Sequence, residues 1–193
     1  MQSAEDQRFE TMTMPHINAL FQTALQLTDN RAGAEKVVYV VYARAWKSLD
    51  GRDEWTDWRI ELFKILVQRI HRGNRGWFGS GWPREVDQPA ENYTEELVDS
   101  NTFAYSPGQM IAALTKVPVV FREIILLVDC QEFSYKETAD ILGLSTEVVA
   151  DRLVLGRKHL RSELDAARST LNATSKNTAF MNRELNQLGE PFV

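Results

Sequence analysis

Gly143 constrains the fold more than any other residue. It ends "SYKETADIL" and opens onto "LSTEVVADRL", two helix-like stretches separated by no more than a tight turn. Glycine, lacking a Cβ, takes the left-handed backbone that such a turn needs. Upstream, "GQMIAALTKVP" starts a helical segment and "VVFREIILLVDCQEF" reads as a strongly apolar helix. Downstream, Val149, Leu153, Gly156, Leu160 and Leu164 line the inner face of a longer helix. A short helix, a tight turn and a longer helix behind an apolar support form a helix-turn-helix. The spacing predicts this unit over residues 109–165.

The N-terminal part is also helical. Ile17, Leu20, Phe21, Ala24 and Leu27 recur at helical spacing, and "TDN" (28–30) breaks the pattern and caps the next helix. That helix, over 31–48, places Ala34, Val37, Val38, Val41, Tyr42 and Ala45 on one face. Another over 56–72 carries Ile60, Phe63, Ile65, Leu66, Val67 and Ile70. No strand alternation appears, so residues 8–75 read as a three-helix domain. The next stretch holds glycines and prolines, and residues 76–114 carry one basic and six acidic side chains. Residues 76–108 therefore read as an acidic linker, whose Trp77, Phe78 and Trp82 could dock on a neighbour. The tail, 166–193, is polar, with one more helix around Phe180 to Leu188. The fold class is all-α: two small helical domains joined by an acidic linker.

Net charge is −5, and residues 115–165 hold seven basic and nine acidic residues, so the helix-turn-helix is itself slightly acidic. That is unusual for a nucleic-acid binder, whose affinity rests largely on phosphate contacts. No apolar run reaches bilayer-spanning length, and the polar, acidic N-terminus is not a signal peptide. The single cysteine, Cys130, fits a reducing cytoplasm and, ending an apolar helix, reads as a buried structural thiol. His16, His71 and His159 are far apart and lack metal-ligand spacing, and no phosphate loop or dinucleotide fingerprint is present. Nothing points to an enzyme, metal, cofactor or small-molecule substrate.

Two stretches carry a family resemblance. "AEKVVYVVYARAW" (34–46) looks like the polymerase-binding helix of sigma region 2, usually close to A-E-D-L-V-Q-E-T-F-L-R-A-W. The segment 114–164 resembles sigma region 4, with its L-x-x-L-P, apolar helix, S-x-x-E-I-A, L-G and G-T-V-K-S-R-L-x-R-A-R-x-x-L. The chain resembles the extracytoplasmic-function sigma factors of bacterial RNA polymerase. The resemblance implies a cytoplasmic transcription initiation factor with two partners, core polymerase (the β′ clamp) and promoter DNA. It implies a polymerase-facing set of Glu35, Lys36, Tyr39, Val40, Ala43 and Lys47. The promoter-melting set would be Trp58, Lys64, Gln68, Arg69, Arg72 and Arg75, cations beside aromatics that suit single-stranded DNA. The helix-turn-helix set would be Tyr135, Lys136, Thr146, Glu147, Ala150, Asp151, Arg152, Arg157 and Lys158.

The departures matter as much. The family's Gly-Thr is Glu147-Val148, its Lys is Ala150, its Ser is Asp151, and an Arg of R-A-R is Leu155. The buried anchors Val149, Arg152 and Leu153 remain. Acids on this face repel phosphate, and at a base edge they accept only from the cytosine amino group. Lys36 and Tyr39 replace the Asp and Gln of region 2, and Val40 replaces a Glu, so Tyr39, Val40 and Ala43 form a second apolar stripe. Either the linker or tail covers that stripe, or a protein partner does. The alternative function is therefore a sigma-shaped protein that no longer reads promoters and works through protein contacts, for example with an anti-sigma factor.

Overall fold

The computed structural model describes residues 4–28, 30–49, 56–73 and 105–188, with side chains as far as Thr170. All of its regular elements are helical. They are α1 (Ala4–Thr13), α2 (Ile17–Thr28), α3 (Arg31–Lys47), α4 (Trp58–Gly73), α5 (Pro107–Leu114), α6 (Val119–Ile125), α7 (Tyr135–Leu142) and α8 (Thr146–Leu188). A 3₁₀ turn, Met14–His16, joins α1 to α2, and a π-helical turn, Leu126–Cys130, extends α6.

Local chemistry sets the helix starts. The Asn30 side chain accepts from the Gly33 amide at 2.6 Å and caps α3. A Cβ on Gly33 would lie 2.8 Å from Asn30 Oδ1, so the cap needs glycine there. Ser106 with Gln109, and Ser134 with Glu137, form reciprocal capping boxes at α5 and α7. Gly143 ends α7 at φ 68°, the left-handed conformation that the sequence predicts.

In the N-terminal half, Leu20, Ala24 and Leu27 of α2 meet Ala34, Val38, Val41 and Ala45 of α3 and Leu62, Phe63, Leu66 and Val67 of α4, all buried. α1 adds Phe9, which packs edge-on against Tyr42, Trp46 and Trp58 with ring centroids 6.3, 5.2 and 5.7 Å away. The Tyr42 hydroxyl donates to the Thr13 carbonyl at 2.8 Å, and burial pushes this phenol up to about 12. The helix at 4–13 lies outside the sequence-read helices because its own periodicity is weak; Phe9, Met12 and the buried Thr13 anchor it.

In the C-terminal half, Ile124, Ile125 and Leu127 support Ile141 of α7 and Val149 and Leu153 of α8. Gly156 lets α8 approach closely: a Cβ there would meet Phe121 Cβ and Ile125 Cδ1, each at 3.1 Å. The helix read separately around Phe180 to Leu188 is the end of α8, which runs 43 residues. The reason is local: no glycine or proline interrupts residues 157–188. Cys130 is exposed, against the expectation of a buried thiol, because the π-helical turn rotates it off the apolar face.

The two halves share one core. Phe63 of α4 and Phe133, just before α7, pack edge to face at 5.0 Å and are 0% and 2% exposed. Arg122 of α6 donates to the Gln26 carbonyl at 2.8 Å.

Candidate protein and nucleic-acid interfaces

Three surfaces gather the residues that the sequence singles out. The first is the outer face of α3. Its inner face supplies core residues every three or four positions, which turns Glu35, Lys36, Tyr39 and Lys47 outward and leaves Val40 and Ala43 half-buried. Tyr39 is 75% exposed, the highest value among the exposed large hydrophobic residues of the described part. Glu35 pairs with Arg31 at 2.9 Å, one turn back. Trp46, at 40% exposure, extends the apolar surface toward the helix end and escaped the sequence reading, which took it only as part of a motif.

The second surface is on α4. Gln68 and Arg72 are exposed and Arg69 is half-buried, while Arg75 lies outside the described residues. Trp58 is a correction: it is 6% exposed and locked against Phe9, so its ring is core and offers no platform to a base. Lys64 reaches across to α7, its Nζ 2.7 Å from Asp140 Oδ2. Arg59 was missed. Its guanidinium lies 4.0 Å over the Phe133 ring and donates to the Gln131 carbonyl. A cation at the start of the same helix, five residues before Lys64, was the available signal.

The third surface is the helix-turn-helix. Tyr135, Lys136, Thr146, Glu147, Asp151, Arg157 and Lys158 are exposed and Ala150 is half-buried. Glu147 sits at the start of α8, where its own amide and the Ser145 and Thr146 hydroxyls hold its carboxyl below the usual range. It therefore stays charged. Arg157 is engaged by Asp129 in a two-point ion pair of 2.6 and 3.1 Å. Arg152 is the second correction: at 3% exposure it points inward, toward the charge of Glu123, and reads no base. Glu123 itself is 2% exposed. Burial raises its carboxyl, while the His71 hydrogen bond and the Arg152 charge work the other way. His159 stacks on Phe121 at 5.3 Å.

Partial burial and Asp129 push the Cys130 thiol up, away from nucleophile chemistry. Among the described residues, no group of three or more His, Cys, Asp or Glu side chains could hold a metal ion. No helix among them is long and apolar enough to cross a membrane.

Residues 108–160 match the family model "Sigma-70, region 4". Over 165 residues the chain is 28% identical to the ECF RNA polymerase sigma factor SigE of Mycolicibacterium smegmatis, covering 81% of this chain and 61% of that protein. It is 27% identical over 176 residues to the RNA polymerase sigma factor CnrH of Cupriavidus metallidurans, covering 85% and 90%. Among solved structures, the sigma factor RpoE in complex with the anti-sigma factor NepR from Bartonella quintana superposes with a TM-score of 0.63 at 22% identity, over 82% of this chain and 98% of that one. CnrH in complex with the cytosolic domain of CnrY gives 0.59 at 24% identity, over 83% and 90%. The shared fold is two helical units in this order.

Proposed function

Because the chain belongs to the extracytoplasmic-function sigma-70 family, we propose that it directs core RNA polymerase to promoters, with α3 as its polymerase-docking face. The observation that carries this reading is Tyr39, 75% exposed on a helix whose opposite side is core. An exposed aromatic between half-buried Val40 and Ala43, rimmed by Glu35, Lys36 and Lys47, has the make-up of a protein-binding patch: an apolar centre with a charged rim. Arg69 and Arg72 with Arg59 and Lys64 supply the cations for single-stranded promoter DNA, and Gln68 adds an exposed amide beside them. Tyr135, Lys136, Thr146 and Lys158 are the donors left to the helix-turn-helix, facing the acids Glu147 and Asp151. With so few donors, duplex binding rests mainly on polymerase holding the chain in place.

The second reading is favoured by those same acids. A face carrying Glu147 and Asp151 suits a protein partner better than phosphate, and two similar structures are complexes with NepR and CnrY. On that reading the partner is an anti-sigma factor. Capture of bacterial core polymerase by the purified chain, followed by promoter-directed transcription, tests the first. An anti-sigma factor captured with no polymerase bound would establish the second in its place.

A further inference from the structure

α8 outruns the domain that it closes. It packs on α5, α6 and α7, and Leu164 is the last buried residue among its described side chains. From Asp165 to Thr170 only Ala167 is half-buried, and the others are exposed. The helix nevertheless continues to Leu188, about 35 Å beyond Asp165. Its composition does not favour that: nine of the eighteen residues from 169 to 186 are Asn, Ser or Thr, weak helix formers. A helix of this make-up is held by packing one face rather than by propensity. Two seven-residue repeats interleave along it, one from Leu164 to Leu185 and one from Ala167 to Leu188. Six of their eight positions are apolar, and Thr174 and Thr178 are the exceptions. The stripe therefore starts inside the domain, at Leu164, and runs on past it.

We infer that α8 pairs through this stripe with α8 of a second copy of the chain, as a parallel two-stranded coiled coil over residues 167–188. Spacings that alternate between three and four, sustained over successive seven-residue repeats, are the pattern of such a seam. The flanks of the stripe favour an identical partner. In a parallel pair, the residue before each position of the first repeat faces the residue five further on in the other helix. That sets Glu163 against Arg168 of the second copy, opposite charges where the two helices part. Glu163 is held only loosely in its own chain, 3.6 Å from a Lys116 that is 60% exposed, and Arg168 is exposed. The next flanking positions, Thr170, Ser175, Asn177 and Asn182, are uncharged, so identical helices meet there without like-charge repulsion. Thr174 and Thr178 weaken the middle of the seam, which sets association in the micromolar rather than the nanomolar range. Both helix-turn-helix units then lie at the same end of the paired helices.

The test is analytical ultracentrifugation of the full chain from about 1 to 100 μM. Leu185→Glu puts a charge in the seam, and Asn186→Glu adds the same charge one residue off it. The expected result is a shift from monomer to dimer across that range, unchanged for Asn186→Glu and about tenfold or more weaker for Leu185→Glu. Met181→Cys in a Cys130→Ser background reads the orientation: parallel register brings the two new thiols together, and mild oxidation should cross-link the dimer. A monomer at every concentration overturns the second copy as occupant, even where another protein is captured on α8. Equal association of Leu185→Glu and Asn186→Glu overturns pairing through the stripe. A dimer that yields no cross-link overturns the parallel arrangement.

Discussion

His71 Nε2 lies 2.9 Å from Glu123 Oε2, joining the last turn of α4 to the buried middle of α6. The carboxyl is 2% exposed, and burial raises it above the ordinary 4.5. A carboxyl raised on folding holds its proton more tightly in the folded chain. Its contribution to stability is therefore fullest below about 4.5 and is lost as pH rises through the raised folded value. Glu123→Gln removes that loss, so the variant gains on the parent as pH increases from 4.5. Urea unfolding across pH 4.5 to 8 measures it, and parallel pH profiles would contradict it.

Arg152 faces the same carboxylate from α8. Arg152→Ala leaves a buried acid with less compensation and should cost about 3 kcal/mol of stability. A chain that keeps full stability but changes its promoter preference would return Arg152 to the DNA-reading set. Denaturant midpoints with matched promoter-binding titrations separate the two.

Gly156 carries the close approach of α8 to α6. Gly156→Ala brings a Cβ within 3.1 Å of Phe121 Cβ, an atom fixed to its backbone that yields little. Overpacking of this kind costs about 1–3 kcal/mol, and alanine returns at most about 1 kcal/mol in helix propensity. A lower thermal midpoint is expected; an unchanged or higher one would show that α6 moves away freely.

Glu147 and Asp151 put two negative charges on the outward face of α8, and Glu147 stays ionised beside Ser145 and Thr146. Neutralising both, as Glu147→Gln with Asp151→Asn, should raise duplex-DNA affinity about threefold or more at low salt, with the gain shrinking as salt rises. Equal affinities at every salt concentration would mean that this face does not approach DNA.

The sequence reveals the helix-turn-helix well because its signals are local: Ser134 and Glu137 cap α7, Gly143 turns the chain, and Val149 and Leu153 repeat at helical spacing. The α3 face is equally legible, since a helix with core on one side places Tyr39 on the other. Trp58 was not, because burial of its ring depends on a partner distant in sequence, Phe9, whereas Arg152 reads both as a buried anchor and as a DNA contact, and only the first fits its place beside Glu123. Nor could the pattern show that Phe133 would meet Phe63, or Asp140 meet Lys64, across a long intervening segment. The length of α8 was missed for another reason: the polar run after 165 reads as tail, though nothing in it breaks a helix.

The most direct measurement is a titration of the labelled full-length chain with bacterial core RNA polymerase, run beside Tyr39→Asp. Tyr39 is 75% exposed, so the substitution leaves the fold intact while placing a charge at the centre of the α3 face. Docking through α3 predicts saturable binding of the parent chain and a loss of about thirtyfold or more for the variant, the scale of an interface hot spot. No polymerase binding by the parent chain, or equal binding by the two, would contradict it.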